Sequence, residues 1–169
     1  MAFRYLIMTL LFCIFAVHAL SAQNTTAYDA DGIKFNHPLD AVTEQQSSKG
    51  LFSAASCSAA DGSYISICVF RDKTTVDEAI KIYRERLEKD CAAMKASEIK
   101  VTDIAESVLS TPAKGFLLSF RLKKAGFENR TLCMTYQDKV ICIVRQYVTD
   151  KKAAAEPFFQ QVLSSLKLQ

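Results

Sequence analysis

The sequence has few of the residues on which most enzyme active sites depend. It contains two histidines and no tryptophan in 169 residues, and only His37 lies beyond the first 22 positions. One histidine excludes multi-histidine zinc sites and weakens every scheme in which histidine activates a nucleophile. His37 precedes a proline at the end of a predicted strand, so we assign it a structural role.

Several short catalytic motifs are also absent. The chain has no Cys-x-x-Cys pair, no Gly-x-Gly-x-x-Gly loop, no phosphate-binding loop and no Gly-x-Ser-x-Gly elbow. Asp29, Asp31 and Asp40 lack the regular spacing of a calcium loop. Cys91 follows Asp90, whose charge is expected to raise the pKa of the thiol. The sequence therefore predicts a protein without cofactor, metal or catalytic residues; the rival is a hydrolase with an unrecognised carboxylate pair.

The first 22 residues resemble a secretory signal peptide. Arg4 supplies a positive start, an apolar run follows, and Ala22 ends a small-residue exit. The apolar run is shorter than the roughly 20 residues that span a bilayer. Cys13 lies inside the run and not at its exit, which argues against lipid attachment. We expect cleavage after Ala22, with Ala19 as an alternative, and a secreted or periplasmic product without stable membrane insertion.

The remaining chain has the size of one domain and little net charge. Removing 22 of 169 residues leaves 147, which fits a single compact core. The loss of Arg4 lowers the net charge from +3 to +2. Basic residues are spread along the chain, so neither nucleic acid nor an anionic membrane is indicated as a partner.

The N-terminal half shows a leader, a strand and a hairpin. Residues 23–31 are polar and aperiodic, which predicts a flexible leader before a single α+β domain at residues 32–169. Apolar and polar residues alternate over 32–37 until Pro38 ends the strand. A loop is expected over 39–50. Residues 51–58 and 64–71 form a hairpin if Gly62 and Ser63 make a two-residue turn.

A helix follows the hairpin. Thr75 and Glu78 have the spacing of a capping box, in which each side chain accepts from a backbone N–H of the other residue. An apolar stripe with helical spacing then runs along the segment. Its members are Val76, Ala79, Ile80, Tyr83 and Leu87. This stripe is predicted to face the core.

The C-terminal half is dominated by a β-meander. A strand is expected at 99–108, a turn-rich connection at 110–115, and three strands within 115–148 separated by turns at 124–126 and 137–139. The last of these strands is apolar at successive positions from Val140 to Val144, which places it mid-sheet with both faces covered. A final helix has its main body at 157–166, with Pro157 in the first turn.

Five of the six cysteines lie beyond the signal segment. A two-residue turn at Gln137 and Asp138 places Cys133 opposite Cys142 at a non-hydrogen-bonded rung, where Cβ atoms are close enough for a disulfide. A turn at Gly62 and Ser63 places Cys57 opposite Cys68 at a hydrogen-bonded rung, where Cβ atoms are farther apart. We predict a Cys133–Cys142 disulfide and consider a Cys57–Cys68 disulfide, with the alternative that these two are small buried residues. Cys91 is left over, and other pairings stay open.

The chain resembles the PsbP-like group, which includes a photosystem extrinsic protein, a Ran-binding import factor and bacterial envelope proteins of the DcrB type. The resemblance rests on four segments: Gly32 to Pro38 at the start, Thr75 to Leu87 in the long helix, Gly115 to Val148 in the meander, and Phe158 to Leu166 at the end. It implies a twisted antiparallel sheet of about six to seven strands flanked by two main helices. Members share no catalytic site, so it also implies a binding or accessory role. The tryptophan that often follows the first strand in this group is missing.

These observations predict an exported, non-enzymatic binding or accessory protein of the cell envelope. Its expected partner is another envelope or secreted protein, and an inhibitor or immunity protein against a secreted toxin is the alternative. Tyr64, Phe127 and Tyr136 lie at hairpin ends and are candidate contacts, although strand-end aromatics more often pack internally. Asn24 and Asn129 fit the glycosylation triplet, which matters only in a eukaryotic source.

Overall fold

The structure is a computed structural model that describes residues 25–48 and 50–169. Over these residues the chain forms ten strands, two α-helices and a 3₁₀ turn. The strands are β1 Thr25–Ala30, β2 Ile33–Pro38, β3 Val42–Ser48, β4 Phe52–Ser58, β5 Tyr64–Phe70, β6 Ser97–Val108, β7 Thr111–Leu122, β8 Ala125–Tyr136, β9 Lys139–Val148 and β10 Lys167–Leu168. The helices are α1 Val76–Ala93 and α2 Lys152–Ser165, and the 3₁₀ turn is Thr149–Lys151. The predicted signal peptide and Asn24 lie outside the described residues.

Seven strands form one antiparallel sheet in the order β3-β4-β5-β9-β8-β7-β6, and β1, β2 and β10 form a smaller sheet. The predicted α+β class and the strand number of the main sheet are confirmed. The small sheet and α2 cover one face of the main sheet, which we call the α2 face; α1 packs on the other, the α1 face.

Strand β9 lies at the centre of the main sheet, as its apolar run predicts. Ile141 and Ile143 face the α2 side, while Cys142 faces α1. Each of these side chains is at most 1% exposed. Because both faces are covered, successive rather than alternate positions are apolar.

The start of α1 also agrees with the sequence. Thr75 is the N-cap; its backbone N–H donates to Glu78 Oε2 at 2.8 Å, and the Glu78 N–H donates to Thr75 Oγ1 at 3.3 Å. The Thr75 backbone N–H and the Thr75 hydroxyl both donate to Glu78 Oε2, and these two bonds lower the pKa of the Glu78 carboxyl. Ala79 is fully buried, and Ile80, Tyr83 and Leu87 pack against buried sheet residues as the stripe predicts.

Three strands were not predicted: the two-residue β10, and β1 and β3, whose side chains are mostly exposed. The leader predicted at 23–31 is wrong in part, since Thr25–Ala30 pairs along its whole length with β2 and the Tyr28 ring stacks on Phe35 at 4.9 Å. The loop predicted at 39–50 contains β3, which is an edge strand paired only with β4. An exposed edge strand needs no alternation of apolar residues, so the main cue to a strand is absent.

Three boundaries in the second half also differ. The connection predicted at 110–115 is shorter, because Leu109 and Ser110 form a tight turn with positive φ and β7 begins at once. The turn expected at 124–126 lies at 123–124. Helix α2 begins at Lys152, so Pro157 lies inside it rather than in its first turn. Ala155, which is fully buried, anchors the turn that precedes the proline.

Candidate functional site

An open groove lies on the α1 face of the main sheet. Helix α1 lies mainly over β7, β8 and β9, and the α1-facing side chains of β4 stay only partly buried. The space between the helix and the strands β4 and β5 is a groove of about 570 Å³. We call it the α1 groove. It arises because one helix cannot cover seven strands, so the side of the sheet nearest β3 keeps an open apolar surface.

The floor and mouth of the α1 groove are largely apolar. Phe52, Ala54 and Phe70 project from β4 and β5, and Tyr83 projects from α1. At the mouth, Leu51 is 51% exposed and Ile82 is 50% exposed, and they belong to opposite walls. Large apolar side chains held in water on both sides of a groove are typical of a binding surface.

One end of the groove is polar but uncharged. Asn129 is 1% exposed; its Nδ2 donates to Gln146 Oε1 at 3.2 Å, and its Oδ1 accepts from Thr131 Oγ1 at 3.0 Å. No described residue accepts from Nε2 of Gln146, which lines the groove together with Tyr64. This end therefore offers an amide donor and a phenol to a ligand.

The same bonds bear on glycosylation at Asn129. Its side-chain nitrogen is already a donor within the sheet, and the residue is almost completely buried. A glycan on this nitrogen needs an exposed side chain. In the folded protein, Asn129 is thus not an acceptor, although the triplet is present.

The three aromatic residues proposed as partner contacts do not form one surface. Tyr64 lines the α1 groove, and its role as a contact stays a prediction. Phe127 stacks on Phe120 at 5.4 Å, and Tyr136 packs against the main core. Phe127 and Tyr136 lie near opposite ends of β8. Both are half-buried packing residues.

The predicted Cys133–Cys142 disulfide is confirmed. The two residues face each other across β8 and β9, and their Cα atoms are 4.1 Å apart. The two-residue turn at Gln137 and Asp138 has positive φ at both positions, as a type I′ hairpin requires. The turn thereby sets the register that brings the two sulfurs together.

The Cys57–Cys68 disulfide is wrong. Residues 59–63 form a longer loop, in which the Ala59 N–H donates to the Ser63 carbonyl at 2.8 Å and the Ser63 N–H donates to Asp61 Oδ1 at 2.8 Å. Cys57 therefore pairs with Ile65 and Cys68 with Ala54. The register differs by an odd number of positions, so the two thiols lie on opposite faces of the sheet.

The free cysteines are poor nucleophiles at neutral pH. Cys57, Cys68 and Cys91 are buried. Burial raises the pKa of the Cys57 thiol to about 11, and burial is also the main cause that raises the pKa of Cys68 and of Cys91. The nearby Asp90 carboxylate adds to the effect at Cys91, as the sequence predicts. Since the thiolate is the reactive form, none of the three resembles an activated catalytic cysteine.

A second, charged cavity of about 470 Å³ lies on the α2 face. At its wall Glu106 Oε2 accepts from Arg130 Nη1 at 2.5 Å, and Glu106 Oε1 accepts from Arg145 Nη2 at 2.9 Å. Glu128 accepts from the Tyr147 hydroxyl at 2.5 Å. Burial and this bond raise the pKa of Tyr147. The carboxylates of this cavity are engaged by neighbouring side chains, so it has the character of a structural ion network.

Loss of the Glu106 carboxylate should destabilise the protein. The side chains of Arg145, Arg130 and Glu106 are only 13%, 24% and 31% exposed. Glu106→Gln leaves Arg130 without this anion and Arg145 with only the longer contact to Glu156 at 3.9 Å. We expect a loss of about 1 to 3 kcal/mol in unfolding free energy, measured by urea denaturation. Glu85→Gln is the control, because Glu85 forms an exposed pair with Lys81. Equal effects of the two substitutions would contradict a structural role for the network.

No other site chemistry emerges from the described residues. Over residues 25–48 and 50–169, no group of three or more His, Cys, Asp or Glu side chains is placed to hold a metal. His37 is 5% exposed, and its Nδ1 donates to the Pro38 carbonyl at 2.8 Å. Among the helices that the structure describes, none combines the length and apolarity needed to cross a bilayer.

Comparison with known proteins gives similarity of fold. No family model and no curated protein matches the chain. The solution structure of cyanobacterial PsbP (CyanoP) from Synechocystis sp. PCC 6803 is similar with a TM-score of 0.53 and 12% identity, over 86% of this chain and 93% of that one. LpqN, involved in cell envelope biogenesis of Mycobacterium tuberculosis, gives 0.43 and 9%, over 86% and 90%. The likeness to CyanoP confirms the predicted PsbP-like fold and, at this identity, shows the fold alone.

Proposed function

We propose that this chain is an exported, non-enzymatic binding protein whose α1 groove receives an apolar side chain from another exported protein. The observation that carries the proposal is the groove mouth, where Leu51 and Ile82 are half-exposed on opposite walls above an apolar floor. An open groove with an exposed apolar rim suits the anchor side chain of a protein surface. A small ligand is more often held in a pocket that buries most of its area.

The groove can supply both an apolar site for an anchor side chain and polar groups that bond the partner's backbone. Burial of one leucine-sized anchor on its floor contributes about 1.5 to 3 kcal/mol. Gln146 Nε2 and the Tyr64 hydroxyl can bond the backbone that carries the anchor. At the rim, Arg86 Nε and Asp90 Oδ2 lie 3.9 Å apart and balance each other, which leaves the Asp72 carboxylate as a further negative charge in the lining. A central apolar anchor with a polar surround is the usual anatomy of a protein interface.

Export is supported by the disulfide and by the first 22 residues. Disulfides persist in oxidising compartments and are rare in the cytosol, and Cys133–Cys142 is fully buried at the centre of the sheet. The first 22 residues, which resemble a secretory signal peptide, are consistent with export to such a compartment. A secreted or periplasmic location is therefore part of the proposal.

The non-enzymatic role is supported by the state of the reactive side chains. The free thiols are buried with raised pKa values, and each oxygen of Glu106 already accepts from an arginine. His37 is buried against Phe35. The rival hydrolase requires a free carboxylate pair elsewhere, and repurified protein that turns over a substrate until one Asp or Glu is replaced would establish it.

The groove mouth can be tested with a matched pair of double variants. Leu51→Glu with Ile82→Glu places charge at the rim, while Met94→Glu with Ile99→Glu changes two equally exposed apolar residues outside the groove. We expect the first pair to reduce capture of a partner protein from the envelope fraction about tenfold or more, because interface energy concentrates in such anchors. The second pair should capture as wild type does, by quantitative mass spectrometry.

Three other results would change the proposal. Equal capture by both double variants would remove the groove from the interface. Recovery of a small amphipathic molecule instead of a protein, in native mass spectra of the purified chain, would replace the partner by a ligand. A captured toxin whose activity falls on binding would give the inhibitor role predicted as the alternative.

A further inference from the structure

Three cysteines lie in one row across the centre of the main sheet. Cys133 pairs with Cys142 across β8 and β9, and Cys142 pairs with Cys68 across β9 and β5. All three belong to one buried cluster on the α1 face. The disulfide between β8 and β9 is thus flanked by a free thiol on the neighbouring strand β5.

The strand geometry makes Cys142 a possible partner for either neighbour. A residue in an antiparallel sheet directs its N–H and C=O to one side, so the non-hydrogen-bonded pair with Cys133 implies a hydrogen-bonded pair with Cys68. Cα atoms in such a pair are about 5.5 Å apart, inside the range of about 4.4 to 6.8 Å that disulfides use. Their Cβ atoms are about 5.5 Å apart against the roughly 4.5 Å that a disulfide allows, so the bond requires β5 and β9 to approach each other by about 1 Å. Cys68 and Cys133 are two strands apart, at roughly 9.5 Å, and cannot bond to each other.

We propose that Cys68, Cys142 and Cys133 form a thiol–disulfide exchange site inside the sheet. Cys68 loses its proton, and its thiolate attacks Sγ of Cys142. The Cys142–Cys133 bond breaks as the Cys68–Cys142 bond forms, and Cys133 leaves as a thiolate that takes up a proton. One disulfide and one thiol are present before and after, so no oxidant or reductant is consumed.

The row supplies the order of sulfurs that the exchange needs. Displacement at sulfur proceeds with the attacking, central and leaving atoms roughly in line, and three neighbouring strands place them in that order. Tyr83 packs against the cluster that contains Cys68. Burial raises the pKa of Cys68, so the thiol is mostly protonated and its attack is slow. Cys133–Cys142 is the bond present in the structure.

Exchange changes both the covalent connection and the α1 groove. The Cys133–Cys142 bond staples one hairpin, whereas a Cys68–Cys142 bond joins β5 to β9, which are distant in sequence. Cys68 and Tyr83 line the groove, so exchange also removes a thiol from its lining. The exchange itself does not depend on what the groove binds.

Two single variants distinguish an exchange site from an isolated disulfide. Both are made in a Cys57→Ala, Cys91→Ala background, which leaves only the three cysteines of the row beyond the signal segment. After equilibration in a glutathione redox buffer, non-reducing peptide mapping of Cys133→Ala should find a Cys68–Cys142 disulfide. Cys142→Ala should leave Cys68 and Cys133 as alkylatable thiols. Free Cys68 and Cys142 in folded Cys133→Ala would overturn the proposal.

A second measurement uses the unmodified cysteine set, in case Cys133→Ala does not fold. The wild-type protein is held in the same buffer, quenched with acid, alkylated and mapped. We expect a minor species in which Cys133 carries the alkyl group and Cys68 is linked to Cys142. If Cys68 is the alkylated residue in every folded molecule, with Cys133 always linked, the exchange does not occur.

Discussion

Gly115→Ala should abolish folding or cost about 4 kcal/mol or more of unfolding free energy. A Cβ at this position would lie 1.9 Å from the carbonyl oxygen of Thr131 and 2.9 Å from its carbonyl carbon. The obstacle is the backbone of the neighbouring strand, so no rotamer change relieves it. To admit one methyl group, β7 and β8 must separate along a pairing that carries Phe116 and Leu132 into the core.

Gly126→Ala is the control for this prediction. Its Cβ would meet only the side chain of Thr149, with Oγ1 at 3.0 Å, and a hydroxyl can rotate away. We expect a change of less than about 1 kcal/mol at Gly126, since Gly to Ala also reduces the entropy of the unfolded chain. Urea denaturation of both variants provides the measurement. Similar midpoints for the two would show that β7 and β8 are not held as close as the structure places them.

Removal of the disulfide should have the second largest effect. Cys133→Ala with Cys142→Ala should lower the unfolding free energy by about 3 kcal/mol, mostly because the unfolded chain regains the freedom of the closed loop. The loop is short, with a sequence separation of 9, which limits the entropic gain. Both side chains are fully buried, so the substitution also leaves small cavities.

Cys57→Ala is the control that measures the cost of removing a buried sulfur atom without breaking a disulfide. Cys57 is equally buried but free, and its replacement removes a sulfur atom without opening a loop. About 1 kcal/mol is expected there, as for other small deletions in a core. If both variants lose the same stability per residue under oxidising conditions, the disulfide contributes nothing beyond its volume.

The sequence predicts those parts of the fold that rest on local signals. The apolar run of β9 identifies the central strand, and the spacing of Thr75 and Glu78 identifies the start of α1. The disulfide follows from one tight turn, because Gln137 and Asp138 fix the register of the hairpin that they connect. Each of these inferences depends on residues that are close in the chain.

The failures occur where partners are distant or where no side chain is buried. β1 and β3 are paired strands with mostly exposed side chains, so their sequences read as loops. The loop at 59–63 is closed by backbone bonds that residue types do not reveal, and a register error there misplaced Cys57. The α1 groove unites residues from β4, β5, α1, β8 and β9, and its existence depends on how far one helix extends over a sheet. Of the residues that line the groove, Tyr64 is the one that the sequence predicts as a partner contact.

The pairing of β5 with β9 has a consequence for the order in which this protein is assembled. Every other neighbouring pair in the seven-stranded sheet is a hairpin between consecutive strands, whereas β5–β9 joins strands with α1 and three further strands between them. Hairpins close over short loops, so β3–β5 and β6–β9 are each inexpensive in chain entropy. The large entropic cost of the sheet falls on the β5–β9 pairing, at which Cys68 meets Cys142. We therefore expect β3–β5 and β6–β9 to form as separate folding units before β5 pairs with β9.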